Sequence, residues 1–470
     1  MSHRSEATLA SRLGTEGVNY RAVVLRDGGK ELLVELADYR VRLPSIEVPR
    51  QQRVAQNLTE ALRRDLGCEV ICLFAPEIHS TETSEIHAQV MEFQPSSRAD
   101  KRQLVWLPVS SFSHSSFQDA NDHLVLCQSL RELSQAPQDC SEPFRTLGWF
   151  QELRTWAVAM IAPLGLRLTE EFRQFNASPS FSLIRFETTS SPVWFKAVGL
   201  PNEHEFPITL TLARHFPQHV PALIAFHPEW RGWLMHDGGT AMSTTTPGVE
   251  DWQQVVNHLA GFQLDSIVHS EELLKAGSRD LRIPRLLDLV DPFLERMRVL
   301  MQEQETASPA PLTAEELAEL GIVLKDALAV LEQVGIPVTL GHSDFNPGNI
   351  LSNDSHFLFI DWAEAYVGHP FFTFEYLLSH LRRDWPEAAT FESFIRSAYA
   401  RPWKYVVPAQ SIAEAFILSP LVAVFAYAAA CQPRTTDPDE RTAGYLRSLT
   451  RRMRREADLL GTKRVPCLQC

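Results

Sequence analysis

The sequence predicts an α+β protein in which two strand-rich blocks are followed by a long helical one. Three observations predict it. Residues 19–107 run as short apolar stretches separated by turn residues, and residues 172–235 repeat that texture. From about residue 249 the apolar positions recur at helical spacing, apart from a loop-and-strand segment at 338–362. A chain of 470 residues is long enough for about three compact units. Its 44% apolar and 22% charged residues exclude a disordered, collagen-like or fibrous protein.

The charge balance narrows the partners. Asp and Glu number 58 against 44 Lys and Arg, a formal charge of −14 with a pI of about 5.6. Nucleic acid is therefore not expected as a partner, although a few placed groups can hold a small anionic nucleotide. The overall field would suit a cationic substrate. Seven scattered cysteines fit a reducing compartment. The polar start, Met1-Ser2-His3-Arg4, lacks the apolar run of a secretory signal. The longest apolar stretch, residues 415–431, is broken by Ser419-Pro420 and falls under the ~20 residues a spanning helix needs. A soluble, cytoplasmic protein without membrane contact is expected, with that stretch as a buried core helix.

Taken in order, residues 1–15 read as a flexible tail. Two apolar runs, 20–25 and 31–36, flank Asp27-Gly28-Gly29 and predict a hairpin. A helix over 53–66 is stopped by Gly67, and strands return at 69–74, 87–93 and 103–107. Cys68 and Cys72 sit in apolar surroundings as core residues. The Ser/Gln/Pro-rich stretch 133–139 is the linker candidate, followed by a helix over 147–160. The expected division is 1–15 tail, 16–135 first domain, 136–171 linker and helix, 172–237 strand-rich lobe, 238–462 helical lobe and 463–470 tail.

The chemistry concentrates in Gly341-His342-Ser343-Asp344-Phe345-Asn346-Pro347-Gly348-Asn349-Ile350-Leu351. It is followed by the apolar strand 357–360 and then Asp361-Trp362. Phosphoryl transfer needs one carboxylate to take the acceptor hydroxyl's proton, and an amide with a second carboxylate to hold Mg²⁺ against phosphates. The His-x-Asp, four residues, Asn spacing of a kinase catalytic loop is present as His342, Asp344 and Asn349.

This segment resembles the catalytic loop of the aminoglycoside phosphotransferase and choline kinase superfamily, in which a metal-binding Asp follows a short hairpin. The resemblance implies a two-lobed protein-kinase-like fold and the cofactors ATP and Mg²⁺. It implies Asp344 as catalytic base, His342 as the residue bracing the loop, and Asn349 and Asp361 as Mg²⁺ ligands. Gly368-His369-Pro370 is similar to the family's Gly-x-Pro. Ser343 stands where the family usually has Gly, and the Asp expected after Gly-x-Pro is missing, with Thr373 and Glu375 nearby; that position is read as structural.

An ATP site also needs an upstream strand lysine held by a helix glutamate. With seven lysines in the chain, Lys196 inside the apolar run 193–198 stands out. Glu205 is its expected partner, with Glu203 the alternative. No Gly-x-Gly-x-x-Gly precedes it; Asn176, Ser178 and Ser180 occupy the loop where backbone N–H groups and hydroxyls would cap phosphates. Met235 and Asp237 mark the connection to the helical lobe, where backbone groups would meet the adenine edge.

The N-terminal block resembles a Nudix fold, an α/β/α sandwich, through Arg42-Leu43-Pro44, the helix ending Leu62-Arg63-Arg64-Asp65-Leu66-Gly67 and the late run 103–108. Only Asp65 keeps a carboxylate in register with that family's metal-binding helix, and Arg64 would repel a divalent cation. A degenerate, non-hydrolytic domain is expected. The Cys467/Cys470 pair reads as a frayed tail without a second ligand pair. Arg447, Arg451, Arg452, Arg454 and Arg455 read as a solvated, salt-bridged helix face rather than an anion site. The whole predicts a kinase that phosphorylates a small-molecule hydroxyl. The alternative is a pseudokinase-type nucleotide-binding regulator, against which the intact Lys196, Asp344, Asn349 and Asp361 set argues. A protein kinase is disfavoured because Asp361-Trp362-Ala363 replaces Asp-Phe-Gly. The acceptor stays open.

Overall fold

The computed structural model describes residues 17–37, 39–50, 52–78, 86–95, 104–135, 141–353, 356–385, 388–431 and 439–464. Residues 1–15, residues 136–139 of the expected linker and the Cys467/Cys470 pair lie outside the described residues. The chain divides into two compact units, Met1–Phe206 with Ala222–Asp237, and Pro207–Pro221 with Gly238–Cys470.

The first unit opens with β1 (Val18–Arg26) and β2 (Glu31–Ala37), which pair in antiparallel register with Leu25 opposite Leu32. The reversal needs left-handed backbone at Asp27, Gly28 and Gly29, with φ of 50, 62 and 84°. Two of those three positions carry no Cβ to resist it. Next come β3 (Arg40–Arg42), β4 (Ser45–Val48), α1 (Val54–Ala61), β5 (Val70–Phe74), β6 (His87–Phe93) and β7 (Leu104–Pro108). They build a seven-stranded mixed sheet of order β3-β2-β1-β6-β5, with β4 also on β1 and β7 on β2; β1 and β6 run parallel. Helix α1 continues into a wider turn over Leu62–Leu66 and stops at Gly67, φ 67°.

Strand periodicity splits the sheet's side chains between two faces. Ala22, Val24 and Leu33 pack with Leu58 and Leu62 from the α1 segment. Val23, Leu25, Leu32 and Val34 share a core with Val125 and Leu126 of α2 (Ala120–Ser134) and with Trp149, Phe150 and Leu153 of α3 (Trp149–Ile161).

That second core does not end with the first sheet. It also holds Phe172, Ile184, Phe186, Val193, Phe195 and Leu234 from a second, antiparallel sheet of order β11-β12-β10-β9-β8. Its strands are β8 (Leu168–Ala177), β9 (Ser182–Thr188), β10 (Val193–Ala197), β11 (Leu223–His227) and β12 (Gly232–His236), with α4 (Glu205–His215) between β10 and β11. Polar contacts join the two sheets as well. Cys72 N–H donates to Gln174 Oε1 at 2.7 Å, Gln174 Nε2 donates back to Cys72 O at 3.1 Å, and Arg63 Nη2 reaches Phe172 O at 2.9 Å. Segment 136–171, expected as linker and helix, thus supplies through α3 part of a core common to both sheets.

The second unit takes in residues 207–221 with most of α4 and, from β13 (Thr240–Ala241) onward, is mostly helical: α5 (Val249–Ser266), α6 (Ser270–Lys275), then β14 (Arg279–Leu281), α7 (Ile283–Gln302) and α8 (Ala314–Val334). Helix α7 buries Ile283, Leu286, Val290, Phe293, Leu294 and Met297, a stripe at three- and four-residue spacing. Helix α8 is delimited locally. Thr313 Oγ1 accepts from Glu316 N–H while Glu316 accepts from Thr313 N–H, and Gly335 at φ 70° ends the helix. Strands β15 (Thr339–His342), β16 (Ile350–Asn353), β17 (His356–Phe359) and β18 (Ala365–Gly368) follow, then α9 (Phe371–Asp384), α10 (Ala388–Trp403), α11 (Ala409–Cys431) and α12 (Glu440–Arg464).

Two sequence expectations need correction here. Strand content does not stop at residue 362: β14 and β18 form a three-stranded sheet with β15, order β14-β18-β15, made of segments three to four residues long. The arginines of α12 form a solvated, salt-bridged face only in part: Arg454 pairs with Glu319 at 2.8 Å as such a face requires, whereas Arg447 is buried, donating to Leu300 O at 3.2 Å and pairing with Glu440. Helix α11 is long and apolar enough to cross a bilayer, alone in this among the described residues, and Leu421, Val422, Phe425 and Ala426 lie buried in this unit's core.

Candidate active site

In the first unit, the β10 register sets Lys196 opposite Leu183 and Trp233. Lys196 and Glu205, the first residue of α4, are both buried and meet at 2.5 Å between Nζ and Oε1. The ammonium also lies 5.8 Å from the Trp233 ring centroid. A pair this buried holds only while both charges are present, because removing one strands the other in low dielectric. Glu203, the alternative partner, instead stands 3.7 Å from Arg231.

The β8–β9 turn places the remaining candidates of this unit. Asn176 lies within β8, opposite Leu183. Ser178 closes the turn: its N–H donates to Phe181 O at 2.8 Å and its Oγ accepts Phe181 N–H at 3.0 Å. Pro179 O accepts Phe144 N–H at 3.0 Å, and a Cβ on Gly199 would lie 2.3 Å from the Ser180 Cβ. The turn is therefore anchored at its tip by the stretch leading into α3. Met235 pairs with Trp194 across β10–β12, and Asp237 Oδ1 accepts Trp194 Nε1–H at 3.1 Å.

In the second unit, β15 delivers the loop that carries the motif. Helix α5 pins this strand, since Ser266 Oγ accepts Leu340 N–H at 2.9 Å. Gly341 is required by packing: a Cβ there would sit 2.0 Å from the Tyr366 ring. His342 is buried, with Nε2 donating to Ile360 O at 3.0 Å and Nδ1 accepting Asp344 N–H at 3.1 Å. That pattern fixes one neutral tautomer, and burial pushes the imidazole pKa below its usual range. The ring thus connects the backbone of Asp344 to the backbone just before Asp361.

The Asp344 carboxylate is held from both sides. Asn346 Nδ2 donates to Oδ1 at 3.0 Å and Asn349 Nδ2 to Oδ2 at 3.1 Å. Asn349 also donates to Asp344 O at 2.9 Å, and its own backbone O accepts Ile360 N–H at 3.1 Å. With its nitrogen committed to Asp344, the Asn349 amide presents Oδ1, a hard neutral ligand atom. Asp361 is exposed and adopts φ 69°, ψ 57°, left-handed backbone that few residues other than Gly, Asn and Asp adopt readily. An amide oxygen and a carboxylate are the donor set of Mg²⁺ rather than of zinc or copper.

Three further residues were not given roles by sequence reasoning. Asn346 shares the carboxylate of Asp344 as just described. Thr373 Oγ1 accepts His342 N–H at 2.9 Å and lies 2.9 Å from the Tyr366 hydroxyl, so it braces the loop from α9. Glu375 is buried against Arg396 at 3.1 Å, and burial pushes its pKa up. It lines, with Ser343 and Asp344, a cavity of about 370 Å³ walled by α9, α11 and α12. Both Thr373 and Glu375 follow Gly368-His369-Pro370 closely, and that proximity was the available signal.

No curated protein matches the chain. Among solved structures, a macrolide 2'-phosphotransferase of Brachybacterium faecium is 16% identical over 63% of this chain and 97% of its own, with a TM-score of 0.40. Plasmodium vivax ethanolamine kinase is 14% identical over 69% and 93%, TM-score 0.42. A choline/ethanolamine kinase family protein of Mesorhizobium loti is 12% identical over 66% and 99%, TM-score 0.40. Over residues 200–402, which carry Glu205, the Asp344 loop and Asp361, the chain matches the phosphotransferase enzyme family.

Proposed function

We propose that this protein is a small-molecule kinase that transfers the γ-phosphoryl group of ATP to a hydroxyl. The observation that carries the reading is the Asp344 carboxylate, held between the Asn346 and Asn349 amides on a loop that also presents Asn349 Oδ1, within the segment matching a phosphotransferase family. Asp344 takes the proton of the acceptor hydroxyl as that oxygen bonds to the γ-phosphorus and the bond to the departing ADP breaks. Bound Mg²⁺ would neutralise phosphate charge, held by Asn349 and Asp361. Lys196, fixed by Glu205, contributes a positive charge for the nucleotide phosphates. Asn176, Ser178 and Ser180 supply hydrogen-bonding groups for the same phosphates, and Met235 and Asp237 flank the adenine.

For the N-terminal block we propose a Nudix-like domain without hydrolytic activity. Support comes from helices on both faces of its mixed sheet and from the fate of the charges at the end of α1. Asp65 is held by Arg64 through two contacts of 2.8 Å, and Arg63 is engaged with Phe172 O and Glu69, so among the described residues of this block no group of carboxylates gathers for a metal.

The central test is Asp344→Ala. Turnover should fall by about 10²–10⁴-fold, the usual contribution of a positioned base, with the Kd for ATP nearly unchanged. Single-turnover kinetics and calorimetry check the two halves. Loss of ATP binding in a variant with the parental melting temperature would show that Asp344 has a different role.

A further inference from the structure

The cavity that holds Asp344 carries information about the acceptor, and its charges can be followed one by one. Its size, about 370 Å³, suits a small molecule. Glu375 is compensated by Arg396 at 3.1 Å, and the Asp344 oxygens are taken up by two amides. Arg383 is compensated by Asp384 through contacts of 2.8 and 3.1 Å. Burial and the neighbouring Arg383 push the His380 pKa down, which leaves that ring neutral at pH 7.

Arg452 is different. It extends from α12 on the same face as Tyr445 and Leu449, all three lining the cavity. Its one hydrogen bond among the described residues goes from Nη2 to Ser379 Oγ at 2.7 Å, and no described carboxylate forms an ion pair with it. The Ser379 hydroxyl donates in turn to Glu375 O at 2.9 Å, which leaves its oxygen facing the guanidinium. A half-buried cation with one neutral partner has most of its five N–H donors available, in the fork geometry that fits a carboxylate or phosphate. Helix α9 therefore orients Arg452 through Ser379 on a wall of the cavity that Asp344 also lines.

We propose that the acceptor is an oxyanion as well as an alcohol: a small hydroxylated carboxylate or phosphate ester whose anionic group binds Arg452 while its hydroxyl meets Asp344. This rests on the kinase reading for the role of Asp344, and it runs against the cationic substrate that the net charge of −14 would favour. Local charge decides here because Arg452 lies half-buried on the cavity wall, while the bulk field is screened within about 10 Å at ordinary ionic strength.

The test uses the full chain and a panel of hydroxy acids and sugar phosphates, each paired with its neutral amide or dephosphorylated counterpart and with an amino analogue. Calorimetry should show at least one anionic member binding about tenfold or more tightly than its neutral partner, the range of charge-assisted hydrogen bonds. The carboxylate and phosphate arms identify which oxyanion is used. Arg452→Gln should reduce that preference to about twofold or less, and Arg452→Lys should restore part of it, since charge returns without the fork. Absence of binding by every anionic member, binding by amides or amines as tight as by acids, or a preference that survives Arg452→Gln at an unchanged melting temperature would each overturn the proposal. Failure of the kinase reading shows separately: no phosphorylated product forms with Mg·ATP while the Arg452-dependent preference persists.

Discussion

Asp361 combines a backbone conformation and a charge that one substitution can separate. At φ 69° its backbone lies where β-branched or large residues pay about 1–2 kcal/mol, whereas Asn shares Asp's tolerance for that region. Asp361→Asn therefore changes the charge with little backbone penalty. If Asp361 holds Mg²⁺, the variant should lose the tightening of ATP binding that Mg²⁺ brings, while binding of ATP without metal stays close to the parent. Calorimetry with and without Mg²⁺ decides it, and an equal Mg²⁺ effect in both proteins would contradict the assignment. The positions around Asp361 were legible for a local reason. His342, Asp344, Asn349 and Asp361 lie within 20 residues, so their relation is written as spacing. Arg452 was not legible, because Ser379 is 73 residues away and the grouping of Tyr445, Leu449 and Arg452 gains meaning only once α9 packs beside α12.

At the scale of elements, strand β8 depends on the sheet before it. Gln174 is buried and closes a reciprocal pair with the backbone of Cys72, so Gln174→Ala would leave a buried N–H and C=O without partners. A loss of about 2–4 kcal/mol follows, read from urea denaturation. Because Asn176 and Ser178 continue the same strand and its turn, KM for ATP should rise as well; an unchanged KM at the lowered stability would separate this turn from nucleotide binding. Elements whose signals are local were readable: β6 falls at His87–Phe93 as the alternation indicates, and Gly67 ends the α1 segment. Helix α2 was missed. It buries Asp122 and Glu132, polar residues that look like surface until Arg21 and Arg145 fold over them, and Arg21 is about 100 residues distant in sequence. Strands β14 and β18 escaped because three or four residues are too few to display a period.

For the whole molecule, the core common to the two sheets makes the N-terminal block a structural requirement for the strands proposed to hold the nucleotide. Fourteen of the 27 buried residues in that core precede residue 141, so a fragment of residues 141–470 loses half of it. In that fragment Phe172, Phe186 and Phe195 keep ring contacts with Phe144, Phe150 and Trp156, and what is lost is the packing of Ile71, Leu73, Phe74 and Val90 together with the Cys72–Gln174 pair. At about 1.5–3 kcal/mol per large side chain, a few such losses amount to much of the stability of a typical domain, roughly 5–15 kcal/mol. The helical unit has a different dependence: every residue of its core lies at Ile208 or beyond, and none is removed. The fragment should therefore keep its helical circular dichroism while amides of β9 and β10 exchange at unfolded rates. Mg·ATP binding should disappear with them, because the Lys196–Glu205 pair is set by β10 and the start of α4. Supplying residues 1–140 in trans should restore protection, since the missing contacts are packing rather than chain connectivity. A fragment whose β10 amides stay protected and whose ATP affinity equals that of the full chain would mean that the smaller sheet is stable without the surface it buries.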